Sequence, residues 1–269
     1  MNLDLAGDTA VVIGGAQGIG LAIARSFAAE GANVALVDRD PRVMAAAQAL
    51  SSDNSSQSLG VVADVTDLPA LERAARVVQD RFGRTDHIVH AAAIGSGKYG
   101  FPFWNLTPAD WPRVLEVNIV GAANVLHAFC PALVSAQRGT VLMISSIAGQ
   151  IGSQTDPPYS ASKAALINFA QCAAKDLAPY GVRANTLCPG MIKTAVNRAV
   201  WQAWADQQLV ENRTPYEAWA EDKIRRLVPL GRWQDAEDVA NLAVFLASPR
   251  AKNITGQTIN VDGGLVMHW

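Results

Sequence analysis

Short apolar runs alternate with longer segments of helical periodicity along almost the whole chain. Runs of apolar and β-branched residues predict strands at residues 9–13, 33–37, 59–63, 87–91, 140–145, 183–187 and 258–261. Apolar positions three and four apart predict helices at residues 18–30, 41–50, 68–82, 111–133, 159–180 and 236–247. Because right-handed crossovers join such alternating elements, we expect an α/β fold. It would be a single doubly wound, Rossmann-like domain over residues 1–269, with a parallel seven-stranded sheet and helices on both faces.

Two segments depart from this alternation. Residues 51–58 are rich in Ser, Asn, Asp and Gln, which predicts a solvent-exposed loop. Residues 195–228 are too long for a plain connection between two elements, yet they carry helical spacing and several aromatic residues. We expect this second segment to form a helical lid over a substrate site.

The composition of the chain gives no sign of a nucleic-acid partner or of a membrane-spanning segment. Half of the 269 residues are hydrophobic, 17% are charged and the formal net charge is −2, with no Lys/Arg block that would indicate a nucleic-acid partner. Cys130, Cys172 and Cys188 are widely spaced, which is typical of reduced thiols. The chain lacks a signal-peptide pattern at its start and has no continuous apolar run of membrane-spanning length, so we expect a cytoplasmic protein that does not enter a membrane.

A glycine-containing turn follows the first predicted strand and leads directly into a helix. The turn reads Gly14, Gly15, Ala16, Gln17, Gly18, Ile19 and Gly20. Glycines let the backbone approach a pyrophosphate, whose charge then lies at the helix N-terminus. Asp38 at the end of the second strand would bind the adenosine ribose hydroxyls and repel a 2′-phosphate, which predicts NAD as cofactor. Arg39 leaves NADP open, because its guanidinium could pair with that phosphate.

The glycine spacing resembles that of the short-chain dehydrogenase/reductase family. The resemblance continues over nearly the whole chain, at Asp64-Val65, Asn118, Ser145-Ser146, Tyr159 to Lys163, Pro189-Gly190 with Thr194, and the closing segment 256–264. It implies an enzyme that interconverts a secondary alcohol and a ketone by hydride transfer with a nicotinamide cofactor. Members of this family usually form dimers and tetramers.

Tyr159 and Lys163 are four residues apart on a predicted helix, so they share one face. A tyrosine has an ordinary pKa of about 10. We expect the Lys163 ammonium and an oxidised nicotinamide to lower the pKa of Tyr159, which would act as the acid/base. The resemblance implies that Ser146 hydrogen-bonds the substrate oxygen and that Asn118 holds a water on a proton relay to Lys163.

Further cofactor contacts are expected beyond the glycine turn. Asp64 follows the third strand and is placed to meet the adenine edge, although Asp64 or Asp67 could instead cap the next helix. The resemblance implies that Lys163 binds the nicotinamide ribose and that Thr194 holds the carboxamide. The other cofactor positions that it implies are Val65, Tyr159, Pro189, Gly190 and Ile192.

Two positions depart from the family pattern. Ile13 stands where the family usually has threonine, and the segment from His90 to Ala93 stands where it usually has Asn-Asn-Ala-Gly. Because replacing both partners of a hydrogen bond can be nearly neutral, we expect the joint change to be compensated. His90, His127 and His268 have no carboxylate or cysteine at ligand spacing, so no metal site is predicted.

The substrate is predicted from the lid and from polar residues near the expected reacting carbon. The lid carries Trp201, Trp204, Tyr216 and Trp219, which either stack on a sugar or only pack the lid onto the body. The polar candidates are Ser96, Lys98, Gln154 and Asp156. With the resemblance, these residues favour a small polyol, sugar or hydroxy acid.

Two alternatives stay open: a 3-oxoacyl-thioester reductase that uses NADPH, and a non-catalytic dinucleotide sensor. The apolar tail at residues 265–269 ends in Trp269, and such a tail is costly to leave in water. Together with the resemblance, it predicts a homotetramer with the tail at an interface.

Overall fold

Seven parallel strands form one sheet in the order β3-β2-β1-β4-β5-β6-β7. The structure is a computed structural model and describes residues 2–53, 56–99, 103–153, 156–193 and 195–267. The strands are β1 (Thr9–Ile13), β2 (Asn33–Asp38), β3 (Ser58–Val62), β4 (His87–His90), β5 (Gly139–Ile144), β6 (Val182–Pro189) and β7 (Thr258–Val261). Strand order reverses between β1 and β4, and ligands of doubly wound folds bind where the strands end at such a point. The predicted α/β class and seven-stranded parallel sheet are confirmed.

Helices cover both faces of the sheet. They are α1 (Gly18–Ala29), α2 (Arg42–Asp53), α3 (Leu68–Phe82), α4 (Pro112–Leu115), α5 (Gly121–Ala136), α6 (Pro157–Leu177), α7 (Ala195–Asp206), α8 (Tyr216–Leu227) and α9 (Ala236–Ala247). Two predicted helices, 68–82 and 236–247, have the observed bounds. The exposed loop predicted at residues 51–58 was wrong at both ends, because α2 continues to Asp53 and β3 already begins at Ser58.

The central strands are apolar on both faces because helices cover both sides. All five residues of β1 are buried, as are all four of β4. On one face, Ile23 and Phe27 of α1 pack with residues of α2 and α9. On the other face, Phe129 and Leu133 of α5 pack with α3 and with Leu166 of α6. These two cores hold the strand ends, and the loops that follow them, in fixed relative positions.

The predicted helix at 111–133 is interrupted. A π-helical turn at Glu116–Val120 separates α4 from α5, and such turns are frequent at functional sites. The whole stretch Pro108–Ala136 is long and apolar enough to cross a membrane by length and composition, with 39% of its most apolar window buried in the fold. In this fold the stretch packs against α3 and α6 and contributes Val125 and Phe129 to the core.

The segment predicted as a lid is helical. It contains α7, a 3-10 turn at Val210–Asn212, and α8. The two helices contact each other through aromatic rings: Trp201 meets Tyr216 edge to face at 5.8 Å between ring centroids, and Trp204 lies 6.2 Å from Trp219. That this segment closes over a substrate stays a prediction.

Candidate active site

Three of the four candidate catalytic residues meet where β5 ends and α6 begins. Ser146 follows β5, and Tyr159 and Lys163 lie on successive turns of α6. Asp156 caps α6 and accepts a hydrogen bond from the Tyr159 backbone N–H at 3.4 Å. Tyr159 is half-buried, and the Ser146 side chain lies close enough to act on the pKa of its phenol. The fold thus places Ser146 beside Tyr159, and the catalytic roles of the two residues stay a prediction.

Burial dominates the electrostatics of this pair. It raises the pKa of Tyr159 to about 12 against the lowering effect of the Ser146 hydrogen bond, and the charges of Asp156 and Cys188 add to the rise. Burial also lowers the pKa of Lys163 to about 8, opposed by Cys188. In the chain by itself the pKa of Tyr159 is raised, because desolvation of the phenolate outweighs any attraction from the ammonium. The lowering expected with an oxidised nicotinamide stays a prediction.

Lys163 is held by the end of β5. Its ammonium donates a hydrogen bond to the Ile144 carbonyl at 2.8 Å, and the Ser145 hydroxyl donates to the Lys163 carbonyl, also at 2.8 Å. A Cβ on Gly149 would lie 2.6 Å from the Lys163 carbonyl carbon, so this turn needs glycine to approach the helix. Lys163 is fixed below the Tyr159 ring, with its Nζ 5.5 Å from the ring centroid.

Asn118 lies in the π-helical turn and joins the loop after β4 to α6. Its Nδ2 donates to the Ile94 carbonyl and to the Ser162 hydroxyl, both at 2.9 Å, and its Oδ1 accepts from the Ile94 N–H at 2.9 Å. Ser162 in turn donates to the Tyr159 carbonyl at 2.7 Å. Both amide hydrogens and one lone pair of the amide oxygen thus fix the loop after β4 against α6. Ser162 was missed from the sequence, although it stands inside the Tyr159-to-Lys163 motif, three residues after the tyrosine.

The glycine turn after β1 is a cradle that larger residues would fill. Gly14 has φ +82°, and a Cβ there would lie 2.6 Å from the Ala92 nitrogen. A Cβ on Gly20 would overlap the Gly14 carbonyl oxygen. Gln17 is the extended N-cap of α1, and Gly18 and Ile19 form its first turn. The free N–H groups of this helix start suit a pyrophosphate, so the residues present fit a dinucleotide.

Asp38 ends β2 beside this cradle. Its carboxylate accepts hydrogen bonds from the Ala16 and Asp40 backbone N–H groups, each at 3.0 Å, which leaves further lone pairs for hydroxyls. Arg42 pairs with Asp40 and reaches Gln17. Arg39 is exposed and makes no hydrogen bond or ion pair with another residue of the described ranges. The same edge of the site thus carries a carboxylate and an unpaired guanidinium.

Asp64 lies in the groove beyond Arg39. Partial burial opposes its ionisation, but hydrogen bonds from the backbone and side chain of Thr66 outweigh this and hold the pKa of Asp64 below its usual value. The helix cap left open in the sequence belongs to Asp67, which accepts from the Ala70 N–H at 3.0 Å. Val65, the residue after Asp64, is buried and packs against Gly121 at the start of α5.

The end of β6 forms the other side of the site. A Cβ on Gly190 would lie 2.6 Å from both the Asp262 Cα and the Gln234 Oε1, so only glycine fits after Pro189. Ile192 is buried and pairs with Gln234. Four predicted site or tail residues lie outside the described residues: Gln154, Thr194, His268 and Trp269.

The polar substrate candidates are engaged with one another. Asp156 accepts from the Ser96 backbone N–H at 2.8 Å, the Ser96 hydroxyl donates to the Lys98 carbonyl at 2.7 Å, and Lys98 pairs with Asp110 at 2.7 Å. These contacts order the loop after β4. Trp201 donates from its indole N–H to the Thr214 carbonyl at 3.1 Å, so its polar group serves the lid.

The expected compensation at the strand positions was wrong. His90 pairs in register with Ile13, is fully buried, and neither of its ring nitrogens has a hydrogen-bond partner among the described residues. Ile13 is apolar where the family usually has threonine, but His90 is still polar. Its imidazole is therefore left without a hydrogen-bond partner among the described residues. Burial, with a smaller contribution from the Lys163 charge, lowers the pKa of His90 to about 3.

Known proteins are similar to the chain over nearly its whole length. A family model described as Enoyl-(Acyl carrier protein) reductase matches residues 14–266. The chain is 34% identical to an acetoacetyl-CoA reductase of Synechocystis sp., over 98% of each chain. It is 32% identical to a sorbitol dehydrogenase of Cereibacter sphaeroides, again over 98% of each.

Two solved structures share the fold. L-sorbose reductase from Gluconobacter frateurii, complexed with NADPH and L-sorbose, superposes with a TM-score of 0.90 at 27% identity, and the match covers 100% of both chains. An NAD+-bound xylitol dehydrogenase gives a TM-score of 0.89 at 28% identity, over 97% of this chain and 100% of that one. The chain belongs to the short-chain dehydrogenase/reductase family, whose members are NAD(P)-dependent oxidoreductases acting on CH–OH groups.

Proposed function

We propose that the chain oxidises a secondary alcohol of a small polyol, sugar or hydroxy acid to the ketone, with NAD as cofactor and Tyr159 as acid/base. The observation that carries this proposal is the grouping of the half-buried Tyr159 with Ser146 beside its phenol and with the Lys163 ammonium 5.5 Å from its ring centroid. A sensor that only binds a dinucleotide would have no use for a tyrosine, serine and lysine in this order.

In the proposed reaction, the deprotonated Tyr159 takes the proton of the substrate hydroxyl while the carbon-bound hydrogen leaves as hydride. When bound, NAD supplies the acceptor for that hydride at the nicotinamide ring. Ser146 donates a hydrogen bond to the substrate oxygen and holds it beside Tyr159. Reduction runs through the same contacts in reverse, with Tyr159 returning the proton.

Tyr159 would gain a positive charge in its surroundings if an oxidised nicotinamide were held at this site. A cation beside a phenol favours the phenolate and so offsets the desolvation that raises the pKa of Tyr159. Lys163 adds to this effect and is positioned by the Ile144 carbonyl. We assign Asn118 and Asp156 to positioning, because their side chains fix the loop after β4 and the start of α6. The water that Asn118 is expected to hold stays a prediction.

Asp38 supports NAD, since its carboxylate lies beside the cradle where an adenosine ribose would bind. The unpaired Arg39 supports the competing NADPH-dependent reduction of a 3-oxoacyl thioester, and an acetoacetyl-CoA reductase is among the relatives. An absorbance assay at 340 nm separates the two. Sugars, polyols and sugar acids should be oxidised with NAD, whereas turnover of acetoacetyl-CoA with NADPH alone would favour the reductase.

The role of Tyr159 is tested by replacing it with phenylalanine. Tyr159→Phe removes the phenolic proton carrier and keeps the ring, so kcat should fall by at least about a hundredfold, the lower range for lost acid–base catalysis, while NAD binding stays nearly intact. Replacement of Tyr180, an exposed tyrosine just beyond α6, by phenylalanine is the matched control and should retain full activity. More than a few per cent residual activity in Tyr159→Phe would refute the assignment.

A further inference from the structure

A cavity of about 350 Å³ opens between the two lid helices and the loop after β4. Its walls include Tyr99 of that loop, Trp204 of α7, and Trp219, Lys223 and Arg226 of α8. The volume is at the lower end of the range for small-molecule sites. The described residues that line it include two cations and no carboxylate.

Lys223 is the charged group of this cavity that lacks an ionic partner. It is half-buried, its ammonium lies 4.7 Å from the centroid of the Trp219 ring, and it makes no hydrogen bond or ion pair with any residue in the described part of the chain. By contrast, Arg226 pairs with Asp222 at 2.7 Å. Burial lowers the pKa of Lys223, as expected when an ammonium loses water without gaining an anion.

The cavity and the candidate acid/base are linked through one short loop. Tyr99 follows Ser96, whose backbone N–H is held by Asp156 at 2.8 Å, and Asp156 caps the helix at Tyr159. After burial, the charge of Asp156 is a further cause that raises the pKa of both Tyr99 and Tyr159. The same carboxylate is therefore within electrostatic reach of a cavity wall and of the reacting group.

We propose that Lys223 binds an anionic group of the substrate, while Trp204, Trp219 and Tyr99 enclose its carbon chain. This inference rests on the proposed function and narrows its substrate class. The substrate would be a hydroxy acid or a sugar phosphate, and a neutral polyol would be a poorer substrate. An ammonium over an aromatic ring gains from a bound carboxylate or phosphate, because the anion replaces the lost hydration.

The experiment compares substrates that differ only in the charged group. Sorbitol and gluconate share a hydroxylated chain, and 6-phosphogluconate adds a phosphate. kcat/KM is measured for wild type, Lys223→Met, Lys223→Arg and the control Lys252→Met, which removes an exposed lysine far along the chain from the lid. We expect Lys223→Met to lose at least about tenfold in kcat/KM for the anionic substrate, mainly through KM, as for one charge-assisted hydrogen bond. Lys223→Arg should recover part of the loss, and the values for sorbitol and for NAD should not change.

A binding measurement separates this inference from the proposed function. Tryptophan fluorescence of the NAD-loaded protein is titrated with gluconate, 6-phosphogluconate and sorbitol. If none is oxidised, but an anionic probe binds at least about tenfold tighter than sorbitol and Lys223→Met removes the difference, the proposed function fails and the anion site stands. Dependence on Lys223 seen only with acetoacetyl-CoA would overturn the inference, because the bound anion would then be a phosphate of the thioester and not a group of a hydroxy acid or sugar phosphate. Equal binding of charged and neutral probes, or equal loss for both in Lys223→Met, would overturn the inference.

Discussion

The unpaired His90 imidazole makes the stability of the fold dependent on pH in a window that can be calculated. His90 lies in β4 on the face that packs against α5 and α6, and it is fully buried. Burial lowers the pKa of His90 from 6.5 to about 3 in the folded chain. Between these two values the unfolded chain carries one more proton than the folded chain.

The sign and size of the effect follow from linkage. Because the folded-state pKa is depressed, the stabilising contribution is present above pH 6.5 and is lost as the pH falls toward 3. The loss is about 1.4 kcal/mol per pH unit inside the window, which amounts to about 1.9 kcal/mol between pH 7 and pH 5. Folded domains have a free energy of unfolding of about 5–15 kcal/mol, so this loss is large enough to measure.

The assay is urea unfolding followed by the fluorescence of the seven tryptophans, at one protein concentration and at several pH values from 7 to 5. His90→Leu removes the titrating group with little change in volume. At pH 7 the variant should be at least as stable as wild type, because an unpaired buried polar group is replaced by an apolar one. At pH 5 the variant should exceed wild type by about 1.9 kcal/mol more than it does at pH 7.

His127 supplies the matched control. It is exposed on α5, so His127→Gln should show the wild-type dependence on pH. The reasoning would be refuted if wild type and His90→Leu lost stability in parallel from pH 7 to pH 5, since that would mean that the His90 imidazole accepts its proton as readily in the folded chain as in the unfolded one.

Two further predictions concern the cofactor and the assembly. Asp38→Ala should lower the preference for NAD over NADP by about tenfold or more in kcat/KM. The reason is that the carboxylate that repels a 2′-phosphate is gone while Arg39 remains. A wild type that already prefers NADPH would contradict the assignment to Asp38. Light scattering at micromolar concentration should give the mass of a homotetramer. Apolar side chains such as Val120 and Met267 are 51% and 73% accessible in the single chain, and an assembly would cover them. A monomer under these conditions would contradict the predicted assembly.

The elements that follow from local periodicity could be predicted from the sequence. The strand at residues 9–13 and the helix at 68–82 have the observed bounds, because their apolar spacing is regular and Asp67 marks the helix start. The helix predicted at 111–133 failed at its middle, where the π-helical turn at Glu116–Val120 breaks the period. Nothing in the apolar pattern marks this turn, where the Asn118 side chain makes polar contacts with Ile94 and Ser162.

The candidate site could be predicted where one motif supplies several groups, as at Tyr159 and Lys163. It could not be predicted where the state of a residue depends on distant elements. The sequence identifies His90 as a departure from the family, but whether its ring finds a partner is decided by the packing of β4 against β1 and α6.

The state of Lys223 also could not be predicted from the sequence, because it depends on the residues around it in the fold. Seen in the sequence, it is one of several charged residues in a helical segment. The structure turns its ammonium onto Trp219 and away from Asp222, which is taken by Arg225 and Arg226. Two arginines thus satisfy the nearby carboxylate, and Lys223 is the cation of the cavity that has no ionic partner among the described residues. If the lid binds an anion, its specificity depends as much on Arg225 and Arg226 as on Lys223, because an unpaired Asp222 would compete for the lysine.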